Sequence, residues 1–178
     1  MILDDPGFTT CQWLSRPGPL CSHVLSSRIR LARNVAGFPF SHWASTGELA
    51  KVVSICSNAL RNCRLLSGSE EIQLETRAAL DLSFLMERHQ ISQEMAHGQT
   101  QRSVFVQSTQ TLGAMVAEED HIRLQVLLPG LNLHEAWHIL SELDEELANQ
   151  LNYAYSERLG FLTACPTNVG TGMRCSVM

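Results

Sequence analysis

The sequence predicts one domain in which helices pack on a β-sheet, and three observations predict it. At 178 residues the chain is long enough to bury a sizeable core, and it contains no linker that would divide it. Some segments alternate apolar and polar residues with the period of a strand, whereas others repeat apolar residues with the period of a helix. Its content of 44% apolar and 17% charged residues is typical of globular proteins.

Net charge, the lengths of the apolar runs and cysteine usage argue against several classes of protein. A net charge of -5 argues against a general nucleic-acid binder. No apolar run approaches the length of a membrane span, and the N-terminus has neither the basic nor the apolar part of a signal peptide. The six cysteines lack zinc-ribbon spacing, so we expect free thiols in a reduced, cytoplasmic protein.

Arginine dominates the basic residues. Lys51 is the only lysine among 13 basic residues, so arginine supplies the other twelve. One interpretation is a genome-wide bias in composition. The other is that several arginines are planar clamps for anionic groups.

The first strand is predicted over residues 24–32, after an irregular lead-in over residues 1–23. Alternation places Arg28 and Arg30 on one face and Ile29 and Leu31 on the other. Two arginines side by side repel each other unless an anion lies between them. The alternatives are an anion site and a solvated edge strand.

A helix should follow, because Ser45 and Glu48 form a capping-box pattern. Apolar residues then recur at helical spacing: Leu49, Val52, Val53, Cys56, Leu60 and Cys63. Residues 71–88 have an ambiguous period, although their apolar residues favour a helix ending near His89.

Two strands are predicted over residues 101–106 and 113–116, joined by a polar loop, and a third begins near Asp120. Its alternation predicts one polar and one apolar face: Glu119, His121, Arg123 and Gln125 on the first, and Ile122, Leu124 and Val126 on the second. Glu118, Glu119 and Asp120 repel one another if all are buried and ionised. They are therefore either solvated or gathered around something cationic.

A long helix is predicted from Leu133 to about Glu157, since one stripe of it is apolar: Leu133, Trp137, Leu140, Leu143, Leu147 and Leu151. Its first turn contains His134-Glu135-x-x-His138. This pattern can hold zinc in a peptidase, but it is short, and no third ligand follows in a known arrangement.

The last eighteen residues form a loop suited to close approach by a ligand. Cys165-Pro-Thr-Asn168 is followed by Gly170 and Gly172 and then by Arg174 in a strand-like ending. Glycines allow the backbone to approach a ligand, and an arginine can hold a phosphate with two donors. The alternative is an ordinary polar turn between two strands.

Three segments together resemble one family, the ATP:guanidino phosphotransferases. They are Leu-Ser-Ser-Arg-Ile-Arg-Leu-Ala-Arg-Asn at residues 25–34, Glu-Glu-Asp-His-Ile-Arg-Leu-Gln at 118–125, and Cys-Pro-Thr-Asn-Val-Gly-Thr-Gly-Met-Arg-Cys-Ser-Val-Met at 165–178. The group contains phosphagen kinases and bacterial protein arginine kinases, and the similarity covers residues 24–178. Phosphagen kinases carry a sizeable helical domain before the first motif. Only 23 residues precede it here, so the chain resembles the protein arginine kinase branch.

The resemblance implies an α+β fold, with a mainly antiparallel sheet flanked by helices. Residues 1–23 would be the lead-in, and residues 24–178 the N-terminal part of a catalytic domain that is incomplete at its C-terminus. Family members have Asn where Ala117 stands and Ala where Cys175 stands. They also continue well beyond this length, with another arginine and a second carboxylate at the site.

The resemblance also implies the site and its reaction. Glu119 would orient the acceptor guanidinium and take its proton, ATP would bind with Mg²⁺, and no protein metal ligand is assigned. The residues that would bind nucleotide are Ser26, Ser27, Arg28, Ile29, Arg30, His89, Arg123, Arg174, Cys175, Ser176, Val177 and Met178.

The implied activity is phosphoryl transfer from Mg·ATP to arginine side chains of proteins, without nucleic-acid or membrane partners. An oligomer or an activating partner is left open. The main alternative is a truncated, non-catalytic remnant that binds nucleotide or another polypeptide. A zinc peptidase using His134, Glu135 and His138 is a distant third.

Overall fold

The computed structural model describes residues 11–98 and 101–178, and its main feature is a six-stranded sheet. The strands in chain order are β1 Ser26–Arg33, β2 Glu70–Gln73, β3 Ser103–Val106, β4 Leu112–Val116, β5 Ile122–Pro129, β6 Tyr155–Ser156, β7 Gly160–Phe161 and β8 Met173–Val177. The large sheet has the order β2-β3-β4-β5-β1-β8, and β6 and β7 form a separate pair. Every strand pairing is antiparallel. The α+β fold with an antiparallel sheet is confirmed.

Five α-helices lie within the described residues. They are α1 Gln12–Ser15, α2 Thr46–Arg61, α3 Ala79–Glu87, α4 Gln93–His97 and α5 Leu133–Ala148. The first ten residues of the expected lead-in lie outside the described residues, and α1 lies in its remainder. None of the described helices combines the length and apolarity needed to cross a bilayer.

One face of the sheet is covered by α2 and α5. The Ser45 side chain and Glu48 form the predicted capping box at the start of α2. Both helices bury apolar residues against the alternate strand positions that include Ile29 and Leu124. The predicted packing role of Cys56 and Cys63 is confirmed, because both thiols are buried there.

The opposite face is covered over only part of its width, and this leaves room for the site. Over β2, β3 and β4 it is apolar, and residues such as Val104 and Met115 pack there in a second core with residues of α3 and α4. Met115 lies opposite Arg123 of β5 in the sheet register. The same face is therefore apolar over β2, β3 and β4 and cationic over the neighbouring strands β5, β1 and β8.

The last long helix is shorter than predicted. It ends at Ala148 rather than near Glu157, because the chain turns through Asn149 and a bridge then joins Tyr153 to Val35. The predicted stripe is also wrong at Trp137, which is 43% exposed, whereas Ala136 is fully buried. The helix packs through residues 136, 140, 143 and 147, one position away from Trp137.

The polar face predicted before and along β5 is largely buried at two of its positions. His121 and Gln125 are buried, with exposures of 0% and 2%. Each is tolerated because its polar atoms are hydrogen-bonded: His121 contacts Val35 and Pro39, and the Gln125 amide donates to the His89 carbonyl.

Candidate active site

Four arginines of three adjacent strands share the open face of the sheet. Arg28 and Arg30 alternate with buried Ile29 on β1, as the sequence predicts. Arg30 lies directly opposite Arg174 of β8. Arg123 of β5 lies opposite Ala32, two residues from Arg30, and so faces the same side.

These arginines are held close together without enough negative charge to balance them. Within residues 11–98 and 101–178, the side chains of Arg28, Arg30 and Arg174 form no hydrogen bond or ion pair. Nε of Arg28 is buried without a partner among these residues. Burial, and then Arg28 and its neighbours Arg123 and Arg174, lower the pKa of Arg30 to about 10. Such a cluster has the charge and the free donors that suit an anion.

Two carboxylates flank Arg123 at the edge of the cluster. Nη1 of Arg123 lies 2.6 Å from the Glu118 carboxylate, and Nη2 lies 3.3 Å from that of Glu119. The Glu118 side chain is fully buried, and burial raises its pKa despite the neighbouring Arg123. Glu119 remains 26% exposed. Of the two, Glu119 is therefore the carboxylate that a ligand can reach.

The third acid, Asp120, has a structural role. Its Oδ1 accepts hydrogen bonds from the Asn34 amide and from the backbone N–H of Ala164. The three acids are therefore neither solvated nor gathered around one cation. Asp120 instead connects the end of β1 to the loop that contains Cys165.

His121 fixes the same turn from the other side. Val35 N–H donates to its Nδ1, and its Nε2 lies 2.8 Å from the Pro39 carbonyl. This pair of contacts requires the neutral tautomer with the proton on Nε2. Burial lowers the pKa of His121, which favours that neutral form.

The C-terminal loop approaches the cluster closely through its glycines. Residues Pro166–Asn168 form a short 3-10 turn. Gly172 has φ +63°, and a Cβ there would lie 2.6 Å from the Ala32 carbonyl oxygen. A larger residue at position 172 would therefore push β8 and its Arg174 away from β1.

His89 lies at the other side of the arginines, just after α3. Its ring packs on Trp13 with 5.5 Å between centroids, and its backbone has φ 55°. Burial, followed by the charges of Arg28 and Arg30, lowers the pKa of the ring. The ring therefore lies close enough to Arg28 and Arg30 for their positive charges to disfavour its protonation. Non-glycine residues with positive φ are uncommon and occur more often at functional sites.

Arg30, Arg123, Arg174 and Glu119 line one cleft of about 460 Å³, whereas Arg28 lines a separate cavity with His89. The sequence motifs did not identify three further residues that line this cleft at the start of α4: Ser92, Gln93 and Glu94. The signal available in the sequence was the N-cap pattern, since Ser92 accepts a hydrogen bond from Met95 N–H. Cys165, Thr167, Asn168 and Gly172 line the same cleft, which brings the C-terminal loop to the first arginine motif.

Several predicted nucleotide-binding residues do not face this cleft with their side chains. Ile29 is in the core, and Ser27 donates to the Gly130 carbonyl while accepting from Asn132 N–H. Cys175 and Val177 lie opposite these two residues in the register and share their face. Any contact from these four residues to a ligand on the arginine face would therefore be a main-chain contact.

The remaining three predicted positions lie near the start of β1. Ser176 lies opposite Arg28 on the arginine face, and the Met178 backbone bonds to Leu25 and Ser26. The Ser26 hydroxyl is buried and has no hydrogen-bond partner within the described residues.

The histidine pattern on α5 is separate from this site. His134 and His138 are exposed, and His138 lies 3.6 Å from Glu142. No group of three or more His, Cys, Asp or Glu side chains in the described parts of the chain is arranged to hold a metal ion.

The fold is shared with solved guanidino kinases. A taurocyamine kinase from Schistosoma mansoni with bound transition state analog components superposes with a TM-score of 0.81 at 27% identity, over 87% of this chain and 23% of that chain. Lombricine kinase has the same fold, with a TM-score of 0.73 at 23% identity over 96% of this chain and 50% of its own.

Protein-arginine kinases are similar over nearly the whole sequence. The protein-arginine kinase of Moorella thermoacetica is 41% identical over 170 residues, which are 94% of this chain and 49% of that protein. That of Pelotomaculum thermopropionicum is 41% identical over 93% of this chain and 48% of its own length. The chain spans about half the length of these curated relatives.

The family model for the ATP:guanido phosphotransferase C-terminal catalytic domain matches residues 51–178. That range includes Glu119, Arg123 and Arg174, whereas the strand with Arg28 and Arg30 precedes it and joins the same sheet face. The chain belongs to the ATP:guanido phosphotransferase family.

Proposed function

We propose that this chain carries the nucleotide-binding and phosphoryl-transfer residues of a protein arginine kinase. In that reaction the γ-phosphorus of ATP forms a bond to a guanidinium nitrogen of a protein arginine, the bond to the ADP oxygen breaks, and the guanidinium loses a proton. One observation carries the proposal. A single cleft is lined by three arginines, Arg30, Arg123 and Arg174, and also by the reachable carboxylate of Glu119.

The arginine cluster has the charge and donors that a nucleotide triphosphate requires. Arg28, Arg30 and Arg174 form no ion pair with a carboxylate among the described residues, so phosphate oxygens would be the first anionic groups that bond to them directly. Phosphoryl transfer places negative charge on the equatorial phosphate oxygens, and fixed arginines stabilise that charge without reorganising. We propose that His89, together with residues 26–30 and 174–178, completes the nucleotide site.

Glu119 is suited to the acceptor guanidinium. A protonated guanidinium is a poor nucleophile, so a neighbouring carboxylate must align it and accept its proton. Arg123 holds the Glu119 carboxylate at 3.3 Å through one nitrogen, and a second guanidinium could bind the remaining oxygen lone pairs. Glu119 would therefore connect the acceptor to the cluster that holds the donor.

Mg²⁺ would enter with the nucleotide in this proposal, because it usually binds substrate phosphates and keeps several waters. When bound, it would neutralise charge on the transferred group. We also propose a cytoplasmic location, since all six cysteines, each within the described residues, are free thiols.

The test measures ATP binding and phosphoarginine formation separately. Calorimetry with Mg·ATP should detect binding, and mass spectrometry of an arginine-rich protein incubated with the chain and Mg·ATP should detect phosphoarginine. Arg30→Gln should weaken ATP binding at least about tenfold, the size expected for losing one charge-assisted contact. Glu119→Gln should leave ATP binding within about twofold and reduce product formation by a factor of about 100 or more.

Arg158→Gln is the matched control, because Arg158 is exposed and does not line the cleft. It should change neither measurement. Unchanged phosphoarginine formation by Glu119→Gln would show that this carboxylate has another role. ATP binding without turnover by the chain would favour the alternative of a non-catalytic nucleotide-binding module.

A further inference from the structure

A group of aromatic side chains lies beside Glu119, on a part of the surface that the nucleotide cluster does not use. Phe40, His42 and Trp43 line a small cavity of about 100 Å³ together with Glu119 and Ala164. Trp43 is 76% exposed, although its ring is positioned 5.9 Å from the Phe40 ring. An indole this exposed stabilises the fold little. Its position next to a reachable carboxylate therefore favours a role in ligand binding.

Glu119 is shared by three neighbouring cavities. It lines the arginine cleft, the aromatic cavity and a third cavity of about 320 Å³ that also contains His42, Glu94 and Glu118. A cationic side chain arriving from the aromatic side would therefore reach Glu119 without crossing the arginine cluster. The two reactants would approach the same carboxylate from different directions.

The charge on the aromatic side suits a cation. Glu94, Glu118 and Glu119 are the carboxylates of the third cavity. Arg102 lies there too, but its guanidinium donates to the backbone carbonyls of Glu94, Met95 and Gly98 at the end of α4. Its two Nη groups are thus bonded to the protein and its Nε is buried, whereas Glu119 remains 26% exposed.

The backbone that carries the aromatic residues is anchored, so they form a preorganised surface. The Pro39 carbonyl is held by His121, and the Phe40 carbonyl accepts hydrogen bonds from the N–H groups of Trp43 and Ala44. This turn fixes Trp43 relative to the strand that begins next to Glu119. Preorganisation reduces the entropy lost on binding.

We propose that Phe40, His42 and Trp43 form the docking surface for the acceptor, an arginine-bearing segment of a polypeptide. The guanidinium would reach Glu119, and the indole of Trp43 would lie against the cationic side chain or its aliphatic arm, a cation–π contact for which tryptophan is the best partner. This inference rests on the proposed function, since it assigns the acceptor side of the same site. Trp43 is then a specificity-determining residue rather than one that touches the reacting phosphate.

The test uses binding as well as turnover. Calorimetry should compare a short flexible peptide containing one arginine with the same peptide containing citrulline, which has the shape but not the charge. We expect the arginine peptide to bind at least tenfold more tightly. Trp43→Ala should raise its Kd about tenfold, and Trp43→Phe should recover most of the loss, as expected for a cation–π contact. In turnover, Trp43→Ala should raise KM for the peptide and leave kcat and Mg·ATP affinity within about twofold.

Trp137→Ala is the control, because Trp137 is also a surface indole, 43% exposed on α5. It should change none of these values. Equal binding of arginine and citrulline peptides, no binding of either, or an unchanged Kd for Trp43→Ala would overturn the docking surface. So would self-association of the chain that Trp43→Ala abolishes without any change in peptide binding.

The two proposals fail in different ways. Absence of Mg·ATP binding would overturn the proposed nucleotide site, while peptide binding would still report on the aromatic surface. Mg·ATP binding with no discrimination between the two peptides would overturn the surface alone.

Discussion

At the scale of single residues, Ala117 stands in a backbone conformation that alanine adopts at a cost. Its φ is 59°, in the left-handed region where the Cβ of most residues is crowded. It immediately precedes Glu118 and Glu119, and its N–H donates to the His121 carbonyl. The strained turn therefore determines where both carboxylates lie relative to Arg123.

Replacing Ala117 should separate the effect of conformation from the effect of size. Asparagine is enriched at positive φ, whereas a β-branched residue there is a genuine outlier. We expect Ala117→Asn to preserve or raise the free energy of unfolding, by up to about 1 kcal/mol, and Ala117→Val to lower it by about 1 to 3 kcal/mol. The two side chains are similar in size, so the difference reports the backbone. Denaturant unfolding measures both, and equal losses for the two variants would instead assign the effect to crowding.

At the scale of structural elements, Arg33 connects four parts of the fold behind the site. Its side chain, 3% exposed, makes a two-nitrogen contact with Asp144 of α5. Nη1 donates to the carbonyls of Ala32 and Thr171, and the guanidinium lies 3.6 Å over the Phe161 ring. Arg33 thus holds β1, α5, β7 and the loop before Arg174 in one arrangement.

Removing this contact should be much more costly than removing a surface ion pair. Arg33→Met leaves the Asp144 carboxylate largely buried without its partner, and we expect a loss of about 3 to 5 kcal/mol in the free energy of unfolding. The matched change, Arg61→Met, breaks a 2.7 Å pair with Glu71 whose arginine is 51% exposed, and should cost about 1 kcal/mol or less. Urea unfolding at one pH compares them. Similar losses would mean that the buried pair is not what joins these elements.

The sequence predicts elements well where a local pattern determines them. The capping box at Ser45 and the alternation around Arg28 and Arg30 describe α2 and β1 to within a few residues. Patterns failed where long-range contacts decide the outcome. Trp137 fits a helical stripe, but the position of α5 on the sheet buries Ala136 instead.

The same reason limits what the sequence says about the site. Strand alternation identifies arginines on one face, yet only the register brings Arg174 opposite Arg30. The contribution of Ser92, Gln93 and Glu94 depends on how α4 packs over the sheet, and no local period encodes that packing. The aromatic side of Glu119 likewise depends on a turn anchored by the buried His121.

At the scale of the whole molecule, the sheet separates stability from binding. One face is covered by α2 and α5, whereas β5, β1 and β8 present like charges on the other. Like charges directly opposite each other in a sheet are destabilising, and Arg30 and Arg174 form such a pair. The fold therefore keeps an unfavourable arrangement that an anion would relieve.

This arrangement predicts that Arg30→Gln stabilises the chain in the absence of ligand. Its pKa of about 10, lowered by burial and by the neighbouring arginines, means that the charged form is less favourable in the folded state than in the unfolded state at neutral pH. Removing the charge should raise the free energy of unfolding by up to about 1 kcal/mol, the size of a cross-strand charge term, or about 2 to 4 °C in Tm for a chain of this length. Thermal unfolding at low ionic strength measures it, with Arg158→Gln as the exposed control.

Added salt should raise the Tm of the unsubstituted chain more than that of Arg30→Gln, because screening weakens the same repulsion. A lower Tm for Arg30→Gln under these conditions would mean that its packing outweighs the repulsion, and that the cluster is not electrostatically strained.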